Sequence, residues 1–141
     1  MVHSVTLFAE YLRQGRIELD KSVFANERCT YQDPCNVSRN GGCGKDAREV
    51  IKYLCEDFVE MEPHGEYNFC CGGGGGAIPM AGPFRERRLR SGKVKAEQIR
   101  ATGASICITP CHNCYDQLRD LNQEYDLGIK VLSFKEMFEE A

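Results

Sequence analysis

Long apolar runs are missing from this chain. None approaches the ~18 residues that a membrane-crossing helix needs, so no direct membrane insertion is expected. The first residues hold no basic stretch leading into an apolar one, so no secretory leader is expected either. An excess of positive charge is also missing. The net charge is −3, which argues against nucleic acid as a partner. Nor is the chain poor in hydrophobic residues. They make up 42% of it, which favours a globular fold over disorder. Its 141 residues fit one domain of ordinary size.

Cysteine is present in excess, at nine residues. A disulfide scaffold would suit a shorter, secreted, loop-rich chain. Here the count is odd and the helical and strand patterns are regular. Thiols kept reduced for metal or redox work fit better, which implies a cytoplasmic location.

The chain is organised around Asn68-Phe-Cys-Cys-Gly-Gly-Gly-Gly-Gly-Ala-Ile78. Neighbouring side chains of an extended strand point to opposite faces. Two vicinal thiols serving one site therefore need an unusual backbone after Cys70 and Cys71. Gly72, Gly73, Gly74, Gly75 and Gly76 can supply it, because glycine reaches positive φ without a Cβ clash. Their bare N–H groups can also approach an anion closely, as in a nest. A flexible glycine linker is the plain alternative, but a linker needs no cysteine pair at its mouth.

Apolar spacing gives the elements. Ser4 reads as the N-cap of a first helix that ends near Gly15. Arg28–Asp33 reads as a strand, stopped by Pro34, with Cys35 just beyond. The Asn40–Gly44 stretch is turn-rich. Asp46 and Glu49 form a capping-box pattern ahead of the stripe Ala47, Val50, Ile51, Leu54, Cys55 and Phe58. Phe58–Met61 is a short strand candidate. The 78–84 stretch reads as an ordered loop. Arg85–Arg100 reads as a basic helix broken near Ser91 and Gly92, with Leu89, Ala96 and Ile99 inward and Gly103 at its end. Ala104–Thr109 suits a buried strand. A helix follows, opened by Cys111-x-x-Cys114 and ended by Gly128. Ile129–Leu132 is a last strand, and Ser133 caps a last helix. Alternating strands and helices predict an α/β fold. The expected form is a mostly parallel sheet of about four strands with helices on both faces, Rossmann-like and three-layered. Ligands of such sheets gather beyond the carboxyl ends of the strands, where Cys35 and Cys111 fall.

The thiol pattern is Cys35, 34 residues, Cys70-Cys71, 39 residues, then Cys111-x-x-Cys114. A lone C-x-x-C is a weak signal, shared by structural zinc, clusters and dithiols. At a helix start it favours thiolate. Zinc takes four ligands, as does a cubane iron–sulfur cluster. Five thiols including a vicinal pair suggest neither.

This arrangement resembles the CCG cysteine-rich domain of heterodisulfide reductase catalytic subunits and related iron–sulfur oxidoreductases. The segments Tyr31-Gln-Asp-Pro-Cys-Asn-Val-Ser-Arg39 and Asn68-Phe-Cys-Cys-Gly-Gly-Gly-Gly-Gly76 are similar to versions in membrane redox complexes of sulfate reducers. The resemblance runs from about Arg28 to the end of the chain. It implies one domain over 1–141, with a helix and link at 1–27 and a cluster-binding core at 28–141. It also implies a noncubane [4Fe–4S] cluster on Cys35, Cys70, Cys71, Cys111 and Cys114, and redox chemistry on disulfide or thiol substrates. Zinc is the substitute metal, and a cytoplasmic face of a membrane complex is a further location the resemblance suggests. The Cys71–Cys111 gap is slightly longer than the family pattern, which falls in the 78–84 stretch. The C-x-x-C-x-x-C runs that usually accompany the domain are absent, as are a flavin fingerprint and a haem C-x-x-C-H. An electron-carrier protein or a ferredoxin-type domain or subunit is therefore the expected partner.

The remaining cysteines divide. Cys29, Cys55 and Cys107 read as small core hydrophobes. Cys43, among glycines, reads as a bystander, with an extra ligand or a reactive thiol as the functional alternatives. His112, inside the C-x-x-C, is a candidate proton donor to a leaving thiolate, or a solvent-facing residue of the first helical turn. His64 reads as a surface residue. Tyr31 and Gln32 are candidate lining residues. Arg85, Arg87, Arg88, Arg90, Lys93, Lys95 and Arg100 read as a solvated face or a docking face for the electron carrier.

Two other readings remain at this stage. One is a binding module around a closed structural zinc site, without turnover. The other is a thioredoxin-like dithiol enzyme using only Cys111 and Cys114.

Overall fold

The computed structural model describes residues 2–141. Four strands form one sheet: β1 (Arg28–Tyr31), β2 (Asp57–Phe58), β3 (Ile106–Thr109) and β4 (Lys130–Ser133). Their order is β2-β1-β3-β4, and every pair is parallel. Six α-helices accompany them among the described residues: α1 (Ser4–Arg13), α2 (Gly44–Leu54), α3 (Pro83–Ser91), α4 (Lys93–Thr102), α5 (His112–Tyr125) and α6 (Phe134–Glu140).

β3 lies inside the sheet, and all four of its residues are buried. The period-two alternation of a strand sends its side chains to two cores. Ile106 and Ile108 join α1, α2 and α6 through Val5, Ala9, Val50, Ile51, Phe134 and Met137. Cys107 joins α3, α4 and α5 through Leu89, Ile99, Leu118 and Leu121. Helices thus cover both faces, and the fold is the expected three-layer α/β arrangement.

Several element ends follow their sequence signals. Ser133 Oγ accepts from the Glu136 amide, and Glu136 returns a carboxylate oxygen to the Ser133 amide. Gly103 closes α4 in the left-handed region at φ 64°.

Other ends differ, each for a local reason. His3 caps α1, its ring nitrogen accepting from the Val5 amide at 3.2 Å. The Asp46–Glu49 capping box does not form. α2 enters earlier, at Gly44, and both carboxylates instead bind Arg13 of α1. β1 ends at Tyr31 rather than Asp33, although the Gln32 amide still donates to the Ile108 carbonyl. β2 is shorter than expected and shifted to Asp57–Phe58, at the sheet edge. α3 begins at Pro83, inside the stretch expected to be loop. The break at Gly92 is a packing device: a Cβ there would stand 2.7 Å from Leu121 Cδ2. α5 closes at Asp126, at φ 47°, two residues before Gly128.

The basic segment is not one solvated face. Arg88 is 6% exposed and Lys95 1% exposed. α3 and α4 must each turn one side toward α5 and the sheet, and these two cations lie on that side. Arg88 bonds Gln117 at 2.5 Å and pairs with Asp120.

Candidate metal centre

The parallel sheet puts the ends of β1 and β3 at one edge, so the segments carrying Cys35 and Cys111 leave it together. The loop after β1 is tied down by Asp33, which is 1% exposed. Its carboxylate accepts from Ser38 Oγ at 2.5 Å, Arg48 Nη2 at 2.8 Å and the Gly65 amide at 2.7 Å. Its carbonyl accepts from Asn68 Nδ2. Arg39 donates to the Glu66 and Asn68 carbonyls. The Cys35 loop and the segment entering the cysteine pair are thereby stitched together. Burial pushes the Asp33 carboxyl up. The bonds from Arg48, Ser38 and Gly65 outweigh it and leave the group below the usual carboxylate range.

Cys70 is exposed and Cys71 buried, as alternating side chains require. Gly72 then turns the chain at φ 88°. This turn aims two successive amides at sulfur: Gly72 N–H at Cys70 Sγ, 3.3 Å, and Gly73 N–H at Cys71 Sγ, 3.4 Å. Cys111 occupies the N-cap position of α5, and Cys114 lies in its first turn. The Cys71 and Cys114 sulfurs are 3.3 Å apart. Cys111 precedes Cys114 by less than one turn of α5, and Cys70 adjoins Cys71 along the chain. Cys70, Cys71, Cys114 and Cys111 thus form a row joined by the Cys71–Cys114 contact, and Cys35 follows β1 at the same edge of the sheet. Among the described residues, no three Cys, His, Asp or Glu side chains converge as a site for a metal ion.

Protons are unevenly held along the row. The hydrogen bond with Cys114 is the main cause that brings Cys71 well below the ordinary thiol range. The bond with Cys114 likewise lowers Cys111 to about 6, helped by the amides of Cys114 and Asn113 and opposed by burial. Cys70 and Cys114 are pushed up by the bonds they share with Cys71 and Cys111.

The five glycines are not equivalent. A Cβ on Gly73 would stand 2.7 Å from Gln117 Cβ and 2.9 Å from the Asn113 carbonyl. Gly74, Gly75 and Gly76 face no protein atom within 4 Å at that position. Among the five, Gly72 and Gly73 are the ones hemmed in by protein, where they lie against α3 and α5.

The other candidates lie apart from the row's bonds. Cys43, at the start of α2, donates to the Gly41 carbonyl and accepts from Thr6. His112 is 86% exposed and stands 3.5 Å from Asp116. Cys29, Cys55 and Cys107 are fully buried in the cores. Tyr31 is 1% exposed, and its hydroxyl has no protein partner. Burial chiefly raises it, and Cys114 and Cys43 are among the charges that add to this. Gln32 is also buried. Asp33, Arg48 and Lys95 were not among the sequence candidates for the site. A buried carboxylate and its arginine fifteen residues on leave no periodic trace, and Lys95 was hidden in a run of surface-like charges.

Among the described residues, no helix is long and apolar enough to cross a membrane. The CCG cysteine-rich domain family matches residues 29–119. A fumarate reductase (CoM/CoB) subunit of Methanothermobacter marburgensis is 35% identical, over 89% of this chain and 25% of that protein. An Hdr-like menaquinol oxidoreductase iron-sulfur subunit of Archaeoglobus profundus is 31% identical, over 78% of this chain and 20% of that protein. A subunit of the dihydromethanophenazine:CoB–CoM heterodisulfide reductase of Methanosarcina mazei is 30% identical, over all of this chain and 34% of that protein. The chain thus spans between 20% and 34% of the length of these relatives. No solved structure matches it. With its family match covering most of the sheet and the whole thiol pattern, the chain belongs to the CCG cysteine-rich domain family.

Proposed function

We propose that residues 1–141 act as one redox domain holding a noncubane [4Fe–4S] cluster on Cys35, Cys70, Cys71, Cys111 and Cys114. Its work is electron transfer coupled to cleavage or formation of a disulfide. One observation supports this reading: the Cys71–Cys114 contact joins the vicinal cysteine pair to the C-x-x-C helix, with the Gly72 and Gly73 amides aimed at two of the sulfurs. The donor set suits an anionic iron–sulfur group, because amides and a helix start offset thiolate charge. Tyr31 adds a hydroxyl with no protein partner, in a setting where Cys114 is felt. A closed zinc site fits less well, since it would gather four ligands round one ion. A dithiol enzyme has one observation in its favour, the lowering of Cys111 to about 6. It leaves the Cys71–Cys114 contact without a purpose.

When bound, the cluster supplies electrons and an iron to receive a thiolate. The chain's own part is to fix five sulfurs, to turn Cys70 toward solvent, and to keep Cys71 and Cys114 dry. Gly72–Gly76 line the cluster side, with Gly72 and Gly73 closest to the row. His112, exposed beside Cys111, would hand a proton to a released thiolate. Reducing R–S–S–R′ breaks one bond, takes two electrons and two protons, and yields two thiols. An electron-carrier protein or ferredoxin-type subunit must deliver those electrons. The curated relatives named above are subunits of redox enzymes, which supports such a partner.

The test uses the anaerobically reconstituted chain with reduced methyl viologen and an aliphatic disulfide. Viologen oxidation at two equivalents per disulfide is expected, and the Cys70→Ser chain should lose it. A loaded wild-type chain that exchanges electrons with viologen but leaves every disulfide intact would refute the disulfide part of the reading.

A further inference from the structure

Two cysteines outside the thiol row meet each other. Cys29 and Cys55 are 26 positions apart in the chain, yet their sulfurs stand 2.7 Å apart. Neither residue has any solvent exposure. Bonding would bring the sulfurs to about 2 Å, a small further movement. Each sulfur hangs from fixed backbone. Cys29 lies in β1, in register with Phe58 of β2 on one side and Ile106 of β3 on the other. Cys55 ends α2, its amide donating to the Ile51 carbonyl at 2.8 Å.

The pair is also placed away from the row. Cys29 is near the start of β1, whereas Cys35 lies past its carboxyl end. Cys55 is at the opposite end of α2 from Cys43. Both join the core under α1, α2 and α6. A bond between them would close a ring over residues 29–55. That ring contains Asp33, Cys35 and Cys43, so it would bracket the loop that follows β1.

We propose that Cys29 and Cys55 are a redox-active dithiol outside the thiol row, which a small hydroperoxide oxidises to a disulfide tying β1 to the end of α2. This inference does not depend on the iron–sulfur reading. In the first step one cysteine sulfur attacks hydrogen peroxide, breaks the O–O bond and becomes a sulfenic acid as one water leaves. The other sulfur then attacks the sulfenic sulfur, forms the S–S bond and releases a second water. The two sulfurs lose two electrons, the peroxide gains them, and both thiol protons leave in water.

The reaction is slow by construction. The bond with Cys55 and burial keep Cys29 a neutral thiol, and thiolate is the attacking form. Access comes at the sheet edge, where β2 is two residues long and begins just past Cys55. Local opening of so short an edge strand exposes the pair.

The experiment treats anaerobically prepared protein with hydrogen peroxide until the exposed Cys70 thiol is consumed and for a long period afterwards. Remaining thiols are alkylated in denaturant. Cleavage at acidic residues separates Cys29 from Cys35, at Asp33, and Cys55 from Cys70, at Glu56. Mass spectrometry should find a Cys29–Cys55 cross-linked peptide that dithiothreitol splits, formed later than the loss of the Cys70 thiol. Thermal unfolding is then compared in peroxide-treated and dithiothreitol-reduced metal-free protein, for wild type and Cys55→Ala. Oxidation should raise Tm by at least about 5 °C more in wild type than in the variant. Cys29 and Cys55 both recovered fully alkylated overturn the inference. So does either one recovered as sulfinic or sulfonic acid without the cross-link, or bonded to a cysteine of the row. An equal effect of oxidation on Tm in wild type and Cys55→Ala overturns the tie between β1 and α2. The wild-type peptide map decides alone where the alanine variant fails to fold.

Discussion

Gly73 and Gly74 are adjacent and chemically identical, yet the structure treats them differently. A Cβ on Gly73 must displace Gln117 Cβ or the Asn113 carbonyl, and Gly74 has free space on its protein side. Gly73→Ala should therefore cost about 1–3 kcal/mol, the usual price of overpacking. Gly74→Ala should be nearly neutral in metal-free protein. Thermal unfolding of the two metal-free variants decides this, and equal Tm values would contradict it. The five-glycine run is legible in the sequence as a place of close approach. Which glycine is hemmed in is not, because that depends on α5 arriving from forty residues away. The same limit hid Lys95. Lys93, Val94 and Glu97 around it are exposed, and only the packing of α4 shows that this charge points inward.

Between β1 and α2 the controlling element is a loop, and its anchor is Asp33. Its folded pKa is lowered, so it falls below the unfolded value of about 4. The stabilisation is therefore complete above about pH 4 and is lost as pH falls through the lowered folded value. Asp33→Asn should cost roughly 3 kcal/mol at neutral pH, the low end for a broken buried pair. The low end applies because Arg48 keeps Glu60 at 2.6 Å. The gap between wild type and variant should close on acidification. Denaturant unfolding at several pH values measures it, and parallel stability curves would contradict the assignment. The sequence shows where β1 stops, through Pro34, and shows that Cys35 follows. It does not show that Gly65 and Asn68 return to the same carboxylate and carbonyl, since that contact joins segments with no shared period. The failed capping box at Asp46 is a similar case, in which an arginine on another helix claimed both carboxylates.

For the whole molecule, the alternation of strands and helices was enough to read the layers and the parallel sheet. Such a sheet brings the ends of β1 and β3 together, and distant thiols become neighbours at that edge. The direction of the basic helices was less legible. Of seven cations read as one face, Arg88 and Lys95 turned inward, and Arg88 found Asp120. A docking face for an electron carrier is thus left to the outward residues, with Arg87 and Arg90 exposed among them. The central claim is that the five thiols together hold a cluster, and iron counted per chain in anaerobically prepared protein tests it most directly. About four irons are expected in wild type, with serine at Cys35, Cys70, Cys71, Cys111 or Cys114 lowering the count and alanine at Cys29, Cys55 or Cys107 leaving it unchanged. A full complement of iron in Cys71→Ser, or a colourless wild-type chain carrying a single zinc, would contradict it.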